Sequence, residues 1–464
     1  MERVDVAIVG GGPAGTSAAH AAASSGASAL VLEKGVPRAD REGLGPDSTD
    51  AAGILDYWVE IMDIHPDEFP DGVLLQHLDR AEFIGPTESA TLKSTGIDSE
   101  YDHFGYTFQR ARLDDWLRER AEDAGAEYRV QVRVKAVESD LAADGGEDDP
   151  RHTVVLASGD RIGADFLILA DGPQRTVTNR VLDGYLPAET QASELLASPI
   201  ANHIAYQEYR RFPEEVFEEV KTAIKFWWGL MPGHTAYPWV FPNDAPVCRV
   251  GLTMPIGLDI DAIEDRDEYG LLRPEDERIP NGATYIRRLL EREWGDEYDI
   301  ETDFPLVEDR GKRGGTETYS ISSTKPIESP VEAGIAVAGG AMGSTSAFHE
   351  GGDHVAIRTG AIAGELAAAG DLSSYNTRWH DAIGDEVLRN VTFAELCRGY
   401  GPSDWDRTFK AIRGILSADG TSLLKANTLR SGLSGAKVLY TYKKQKRAFQ
   451  KNGYVQLTED DYVY

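Results

Sequence analysis

The first thirty-three residues restrict this chain more than any other feature. Asp5-Val6-Ala7-Ile8-Val9 reads as a short apolar strand that runs straight into Gly10-Gly11-Gly12-Pro13-Ala14-Gly15. An alanine-rich helix follows to Ser25, Gly26 ends it, and Ala29-Leu30-Val31-Leu32-Glu33 forms a second strand. Strand, helix and strand in about thirty residues make a βαβ unit. Within it, Gly10-x-Gly12-x-x-Gly15 meets three demands: a tight turn, close approach of backbone N–H groups to a pyrophosphate, and close packing of helix on strand. Glu33 lies 23 residues after Gly10, at the end of the second strand, where an acid suits a ribose hydroxyl. The glycines alone are a weak signal. With strand, helix and acid in place around them, they specify dinucleotide binding.

A chain of 464 residues exceeds one ordinary core, so two intertwined domains and an appendage are expected. Apolar residues make up 41%, which fits a globular protein and not a disordered scaffold. No apolar run approaches the roughly 18 residues a membrane-spanning helix needs. Met1-Glu2-Arg3-Val4 leads directly into the first strand, so no signal peptide is expected. Cys248 and Cys397 are the two cysteines, too few for a disulfide framework or a four-cysteine zinc site, and no metal is expected. A reducing cytoplasm fits this usage.

Charge sets further limits. There are 47 basic and 78 acidic residues, a net charge of −31, which excludes nucleic acid as a partner. Lysine supplies 14 of the basic residues, and such an acidic, lysine-poor chain resembles proteins of salt-saturated, halophilic cytoplasm. The acidity is uneven. Between Trp405 and Lys451 there are 11 basic and 2 acidic residues, interleaved with Phe409, Leu439 and Phe449. Two readings fit equally: peripheral contact with an anionic membrane surface, or a helical tail docked on the acidic body.

Further along, a helix is expected from Leu113 to Ala124, and Tyr128 to Val137 alternates like a strand. An acidic turn at Asp144 to Asp149 separates Val132-Arg133-Val134 from His152 to Leu156, as in a hairpin. Phe166-Leu167-Ile168-Leu169-Ala170 and Ile335-Ala336-Val337-Ala338 read as buried strands, the latter followed by a glycine-rich loop and a helix from Asp353 to Ala369. Between them, Ile204 to Arg210, Trp239 to Phe241 and Arg249 to Met254 alternate as in an antiparallel sheet with a helix or two across it.

Ala170-Asp171-Gly172-Pro173, the loop after Ile335 to Gly340, and Gln109-Arg110-Ala111-Arg112-Leu113-Asp114 together resemble the recurring motifs of the para-hydroxybenzoate-hydroxylase-like flavoproteins, over roughly residues 4 to 370. The resemblance implies FAD as cofactor. It implies contacts from Gly10, Gly12, Pro13, Ala14, Gly15, Glu33 and Lys34 on the adenosine and pyrophosphate side. It adds Arg110, Val134, Asp171 and Gly172, and then Gly339, Gly340, Ala341, Gly351 and Gly352 on the flavin side. Tyr237-Pro238-Trp239-Val240-Phe241-Pro242 resembles the YxWxFP element of the geranylgeranyl reductases within that superfamily. In those enzymes the element lines a polyprenyl cavity, which makes Tyr237, Trp239, Phe241 and Pro242 candidate substrate residues. Aromatic side chains at alternate strand positions share one face, which also fits plain interdomain packing.

The expected fold is α/β. A Rossmann-like FAD-binding domain of ββα type is split between residues 1–185, with an excursion near 75–105, and 331–375. An antiparallel β-sheet substrate domain is inserted at 186–330, and 376–464 is a helical C-terminal region with a basic tail. Departures from the family pattern are specific. Gly339-Gly340 replaces a Gly-Asp pair, Ala347-Phe348 replaces a usual proline, and Arg41-Glu42-Gly43-Leu44-Gly45-Pro46 lacks a cysteine found there in some reductases. His349 is the candidate catalytic side chain beside the flavin ring. The implied reaction is reduction of isoprenoid C=C bonds, in archaeal-type lipid precursors or a quinone tail. Electrons would come from ferredoxin or NAD(P)H, since no second dinucleotide fingerprint is present. The rival readings are a flavin monooxygenase acting on an apolar substrate and a non-catalytic accessory protein.

Overall fold

The computed structural model describes residues 1–36, 53–97, 99–143, 149–196, 202–311, 313–322, 325–419 and 432–464. The loop 41–46, most of the turn before His152, and Lys425 and Arg430 of the basic tail lie outside the described residues.

A seven-stranded sheet carries the glycine fingerprint. Its order is Glu127–Arg129, Ala29–Leu32, Glu2–Val9, Arg161–Leu169, His152–Leu156, Val134–Ser139, with Ile335–Val337 beside the far half of Arg161–Leu169. Glu2–Val9 pairs in parallel with both neighbours, which explains its unbroken apolar run from Val6 to Val9. The helices Pro13–Ser24 and Asp353–Ala368 cross in direct backbone contact, because Gly360 and Gly364 face the Ala14 and Ala18 carbonyls.

Tyr128 to Val137 is not one strand. Glu127–Arg129 and Val134–Ser139 lie on opposite edges of the sheet, because Gln131 takes a φ of 58° and turns the chain between them. The expected hairpin forms with Val134–Ser139 as its first strand. The helix expected from Leu113 begins three residues earlier, at Arg110.

The second sheet runs Thr316–Ser322, Asn202–Arg211, Val247–Pro255, Tyr237–Pro242, Ala223–Trp227, Arg80–Ile84, Ser89–Leu92. It is antiparallel except where Ala223–Trp227 and Arg80–Ile84 run together. That exception follows from topology, since Arg80–Ile84 arrives from the N-terminal part of the chain and forms no hairpin with its neighbour. The helix Gly282–Trp294 covers one face, burying Val240, Val250 and Leu252. Tyr237, Trp239 and Phe241 point to the other face, as alternation requires. A small sheet of Gly53–Leu55, Gly105–Phe108 and Leu74–Leu78 joins the two large ones. Three helices, Tyr375–Leu396, Pro402–Asp419 and Gly432–Asn452, close the aromatic face.

The helix crossing gives a direct test of the packing. A Cβ at Gly364 would overlap the Ala18 carbonyl, whereas one at Gly184 would meet nothing within 4 Å. In urea unfolding, Gly364→Val is expected to lose about 3 kcal/mol or more, by overpacking, and Gly184→Ala to change stability by less than about 0.5 kcal/mol.

Candidate active site

The three fingerprint glycines are distinguished by what a side chain would meet. Gly10 has a φ of 102° and presses on the Ala170 backbone, and Gly15 presses on the Gly10 carbonyl. Gly12 faces open space, with nothing within 4 Å of a Cβ. Its N–H side is therefore free for close approach by a pyrophosphate at the N-terminus of the helix Pro13–Ser24. Glu33 accepts from the Gly11 N–H at 2.7 Å and holds the turn from the neighbouring strand, while Lys34 is exposed. The residues present thus fit the dinucleotide half of FAD.

The other glycine-rich segments converge on the same place. Gly12, Pro13, Ala14, Gly172, Gly340, Gly351 and Gly352 line one end of a single cavity of about 590 Å³. Arg110 lines it too, and joins two helix N-termini by bonding Asp114 at 2.8 Å and Asp353 at 3.0 Å. Gly339 packs against Ala14, so the loop after Ile335–Val337 sits directly on the fingerprint helix. Ala341 is buried beneath this loop, and Asp171 is spent locally, accepting from the Val177 N–H at 2.6 Å. Val134 is buried at the start of its strand, outside the cavity lining. A Cβ at Gly340 would stand 3.2 Å from Pro173 Cδ, a tight contact.

From the glycine end the cavity continues across the second sheet. Tyr237, Trp239 and Phe241 form its wall, and Trp239 lies flat over Gly251, the residue paired with it on the next strand. Pro242 ends that strand, buried and outside the lining. Phe226, Phe83 and Ala90 extend the wall to the sheet edge, and Phe393, Phe409 and Tyr442 of the C-terminal helices roof it. From Val247–Pro255 to Ser89–Leu92 is four strand steps, or roughly 19 Å at about 4.8 Å each.

His349 lies at the junction of the two halves. Its Nδ1 accepts from the Gly351 N–H at 3.2 Å, its Nε2 is 3.3 Å from Glu386 Oε1, and its ring packs tilted against Trp58 with centroids 4.7 Å apart. Both ring nitrogens are therefore engaged within the protein. Tyr237 donates its hydroxyl to the His349 carbonyl at 2.7 Å, tying the aromatic strand to the loop. Burial pushes the Tyr237 hydroxyl well above its ordinary pKa, so it stays protonated.

Sequence reasoning missed three residues here. Glu386, buried on Tyr375–Leu396, accepts from Tyr57 at 2.9 Å, Trp58 at 3.1 Å and Asn390 at 2.8 Å, and pairs with Arg389. Burial opposes its ionisation, yet His349, His354 and the Arg389 charge hold its carboxyl well below the usual carboxylate range. Arg175, also buried, donates to the Gly340 and Ala341 carbonyls at 3.0 and 2.9 Å, and burial lowers it to about 10. Glu350 lines the cavity beside His349. No local signal marks Glu386 or Arg175, because their partners are distant in sequence. Glu350 was visible as an acid inside a glycine loop.

The comparisons agree with this geometry. Residues 5–41 match the family described as FAD binding domain. Digeranylgeranylglycerophospholipid reductase 2 of Methanothermobacter thermautotrophicus is 26% identical over 443 residues, covering 92% of this chain and 96% of that one. The digeranylgeranylglycerophospholipid reductase of Methanothrix thermoacetophila is 26% identical over 425 residues, covering 89% and 92%. Among solved structures, a geranylgeranyl bacteriochlorophyll reductase-like protein from Thermoplasma acidophilum matches with a TM-score of 0.67 at 19% identity, covering 97% of this chain and 99% of that one. Fold and site define an FAD-dependent oxidoreductase. More narrowly, the chain is similar over nearly its whole length to proteins named digeranylgeranylglycerophospholipid reductases.

Two outcomes follow from the site. Gly12→Ala should leave the unfolding midpoint of the FAD-free protein unchanged while weakening FAD binding at least about tenfold in a flavin fluorescence titration, because only the ligand needs that space. Glu386 ionises more readily folded than unfolded, so its stabilising effect is complete above the unfolded carboxyl value of about 4.3. It disappears as pH falls through the depressed folded value. Glu386→Gln should therefore flatten that acid limb of stability against pH and cost about 3–5 kcal/mol near neutrality, leaving Arg389 buried and unpaired.

Proposed function

We infer that this oxidoreductase reduces the isolated C=C bonds of isoprenoid chains, with geranylgeranyl groups of archaeal-type membrane lipids or their precursors as the leading substrate. One observation carries the reading: a single apolar cavity runs from the glycine loops across four strand steps to the sheet edge. That shape suits an extended polyprenyl chain and is far longer than a single aromatic ring requires. The relatives named as digeranylgeranylglycerophospholipid reductases match nearly the whole chain, which supports the same substrate class.

Bound and reduced, FAD supplies the hydride. The protein's own groups orient the chain and exclude water. Tyr237, Trp239 and Phe241 bound the alkene on one side, and Phe393 and Tyr442 on the other. His349, with both nitrogens engaged, acts as a positioning residue that fixes the loop between Trp58 and Glu386. Electrons arrive from an external donor, ferredoxin or a transiently bound nicotinamide. Among the described residues no helix is long and apolar enough to cross a membrane. Lys443, Lys444 and Arg447 are exposed on Gly432–Asn452, the helix whose Leu439 and Tyr442 line the cavity. This favours peripheral contact with an anionic surface as the route by which a lipid enters.

The test is mass spectrometry of product from FAD-loaded protein, chemically reduced, with a geranylgeranyl substrate. Mass gains in steps of two hydrogens are expected, and mass gains of oxygen with peroxide release would instead identify a monooxygenase. Ala90→Phe, which fills the far end of the cavity, should raise KM for the geranylgeranyl chain at least about tenfold and leave a geranyl chain within about threefold. Equal effects on both lengths would rule out this orientation of the chain.

A further inference from the structure

Glu350 combines three observations that packing alone does not require. It has a φ of 60°, a left-handed conformation that favours glycine and costs a larger residue about 1–3 kcal/mol. The residue lines the cavity, between His349 and Gly351, and its carboxyl is buried. Its oxygens are held by the Thr253 hydroxyl, by Thr235 at 3.3 Å, and by His203 Nε2 at 3.4 Å. A strained backbone is retained, and what it delivers is one protic group at the junction of the glycine loops and the aromatic wall.

We propose that Glu350 is the general acid of the reduction, donating a proton to the alkene carbon that does not receive hydride. The proposal rests on the reductase reading above. In the step, the alkene π bond opens and one carbon accepts hydride, with two electrons, from the reduced flavin, which is thereby oxidised. The other carbon forms its C–H bond with the proton of Glu350, and the O–H electron pair stays on the carboxylate. His203 Nε2 lies buried 3.4 Å from the same carboxyl. Hydride transfer to an unactivated alkene gains most if protonation accompanies it, because neither a carbanion nor a carbocation is stabilised by so apolar a wall.

The surroundings suit an acid that begins protonated. Burial pushes the Glu350 carboxyl up, opposed by His203 and by the two threonine hydroxyls. His203 and Tyr237 stand against it, from the strands on either side of Val247–Pro255. His349, on its own segment, turns its ring to Glu386 instead.

Glu350→Gln keeps the shape and cannot donate a carboxyl proton. It should hold FAD normally, lose about 100-fold or more in turnover on a geranylgeranyl substrate, and lack the alkaline fall in rate expected of the parent as the acid ionises. Infrared difference spectra should show a protonated carboxylic-acid C=O band that is absent from the variant. Thr253→Val leaves Glu350 in place and removes a hydrogen bond that lowers its pKa, so the alkaline limb should move to higher pH. Turnover of Glu350→Gln within about threefold of the parent, or an unmoved limb in Thr253→Val, would overturn the proposal. If Glu350→Gln fails to fold, the Thr253→Val limb decides. A parent protein that binds FAD but leaves the alkene intact would defeat the reductase reading itself, a result distinct from an active parent with an equally active variant.

Discussion

The contact between Pro13–Ser24 and Asp353–Ala368 is the constraint on which the site depends. Gly360 and Gly364 let the second helix lie directly on the Ala14 and Ala18 carbonyls of the first. Segments more than three hundred residues apart thereby share one end of the parallel strands. The Gly339 N–H donates to Thr359 at 3.0 Å, so the loop that begins there is anchored to the same helix. Ligands of open parallel sheets bind beyond the carboxyl ends of the strands, and here both glycine-rich loops meet at that edge. Without the glycine pair the helices would separate, and the loops could not line a common cavity.

A second constraint joins the C-terminal region to this frame. Glu386 takes hydrogen bonds from Tyr57 and Trp58 on one segment, His349 on another, and Asn390 on its own helix. A buried carboxylate is costly unless its lone pairs are filled, and here they are. The arrangement is specific because it needs every donor at once. It sets the long helix Tyr375–Leu396 over the cavity and leaves Phe393 as part of the roof. The helical region is therefore a wall of the site as well as an appendage.

What was legible in the sequence was local. The fingerprint glycines, the alternation of Tyr237, Trp239 and Phe241, and the apolar strands each carry their signal within a few residues. The FAD-binding fold could be read from them. Less legible was anything set by distant pairing. The chain alternates evenly from Tyr128 to Val137, yet Gln131 turns it and sends the halves to opposite edges, because alternation does not reveal a left-handed residue. The parallel pairing of Arg80–Ile84 with Ala223–Trp227 depends on where a remote segment docks. Glu386 looks like any acid on a long helix until its donors arrive from three segments. At Gly340 the departure from the Gly-Asp pattern was plain, but the close approach of Pro173 needed coordinates.

Chemistry and recognition are divided along the cavity. Polar side chains such as Arg110, Asp353 and Glu350 gather at the glycine end, and the remaining length over the second sheet is dominated by aromatic and aliphatic groups. Recognition over that length is non-directional, each buried methylene contributing about 0.8 kcal/mol. Such a wall measures the extent of a chain and cannot by itself choose which carbon faces the reacting end. Choice of carbon must come from the few directional groups, and these are held by the Tyr237 to His349 hydrogen bond and the threonines around Glu350. For the polyprenyl substrate proposed above, sliding the chain by one isoprene unit would change little in the apolar part and would bring the next alkene to the same polar groups. On that proposal, a site built this way would favour successive reduction of equivalent double bonds over selection of a single one.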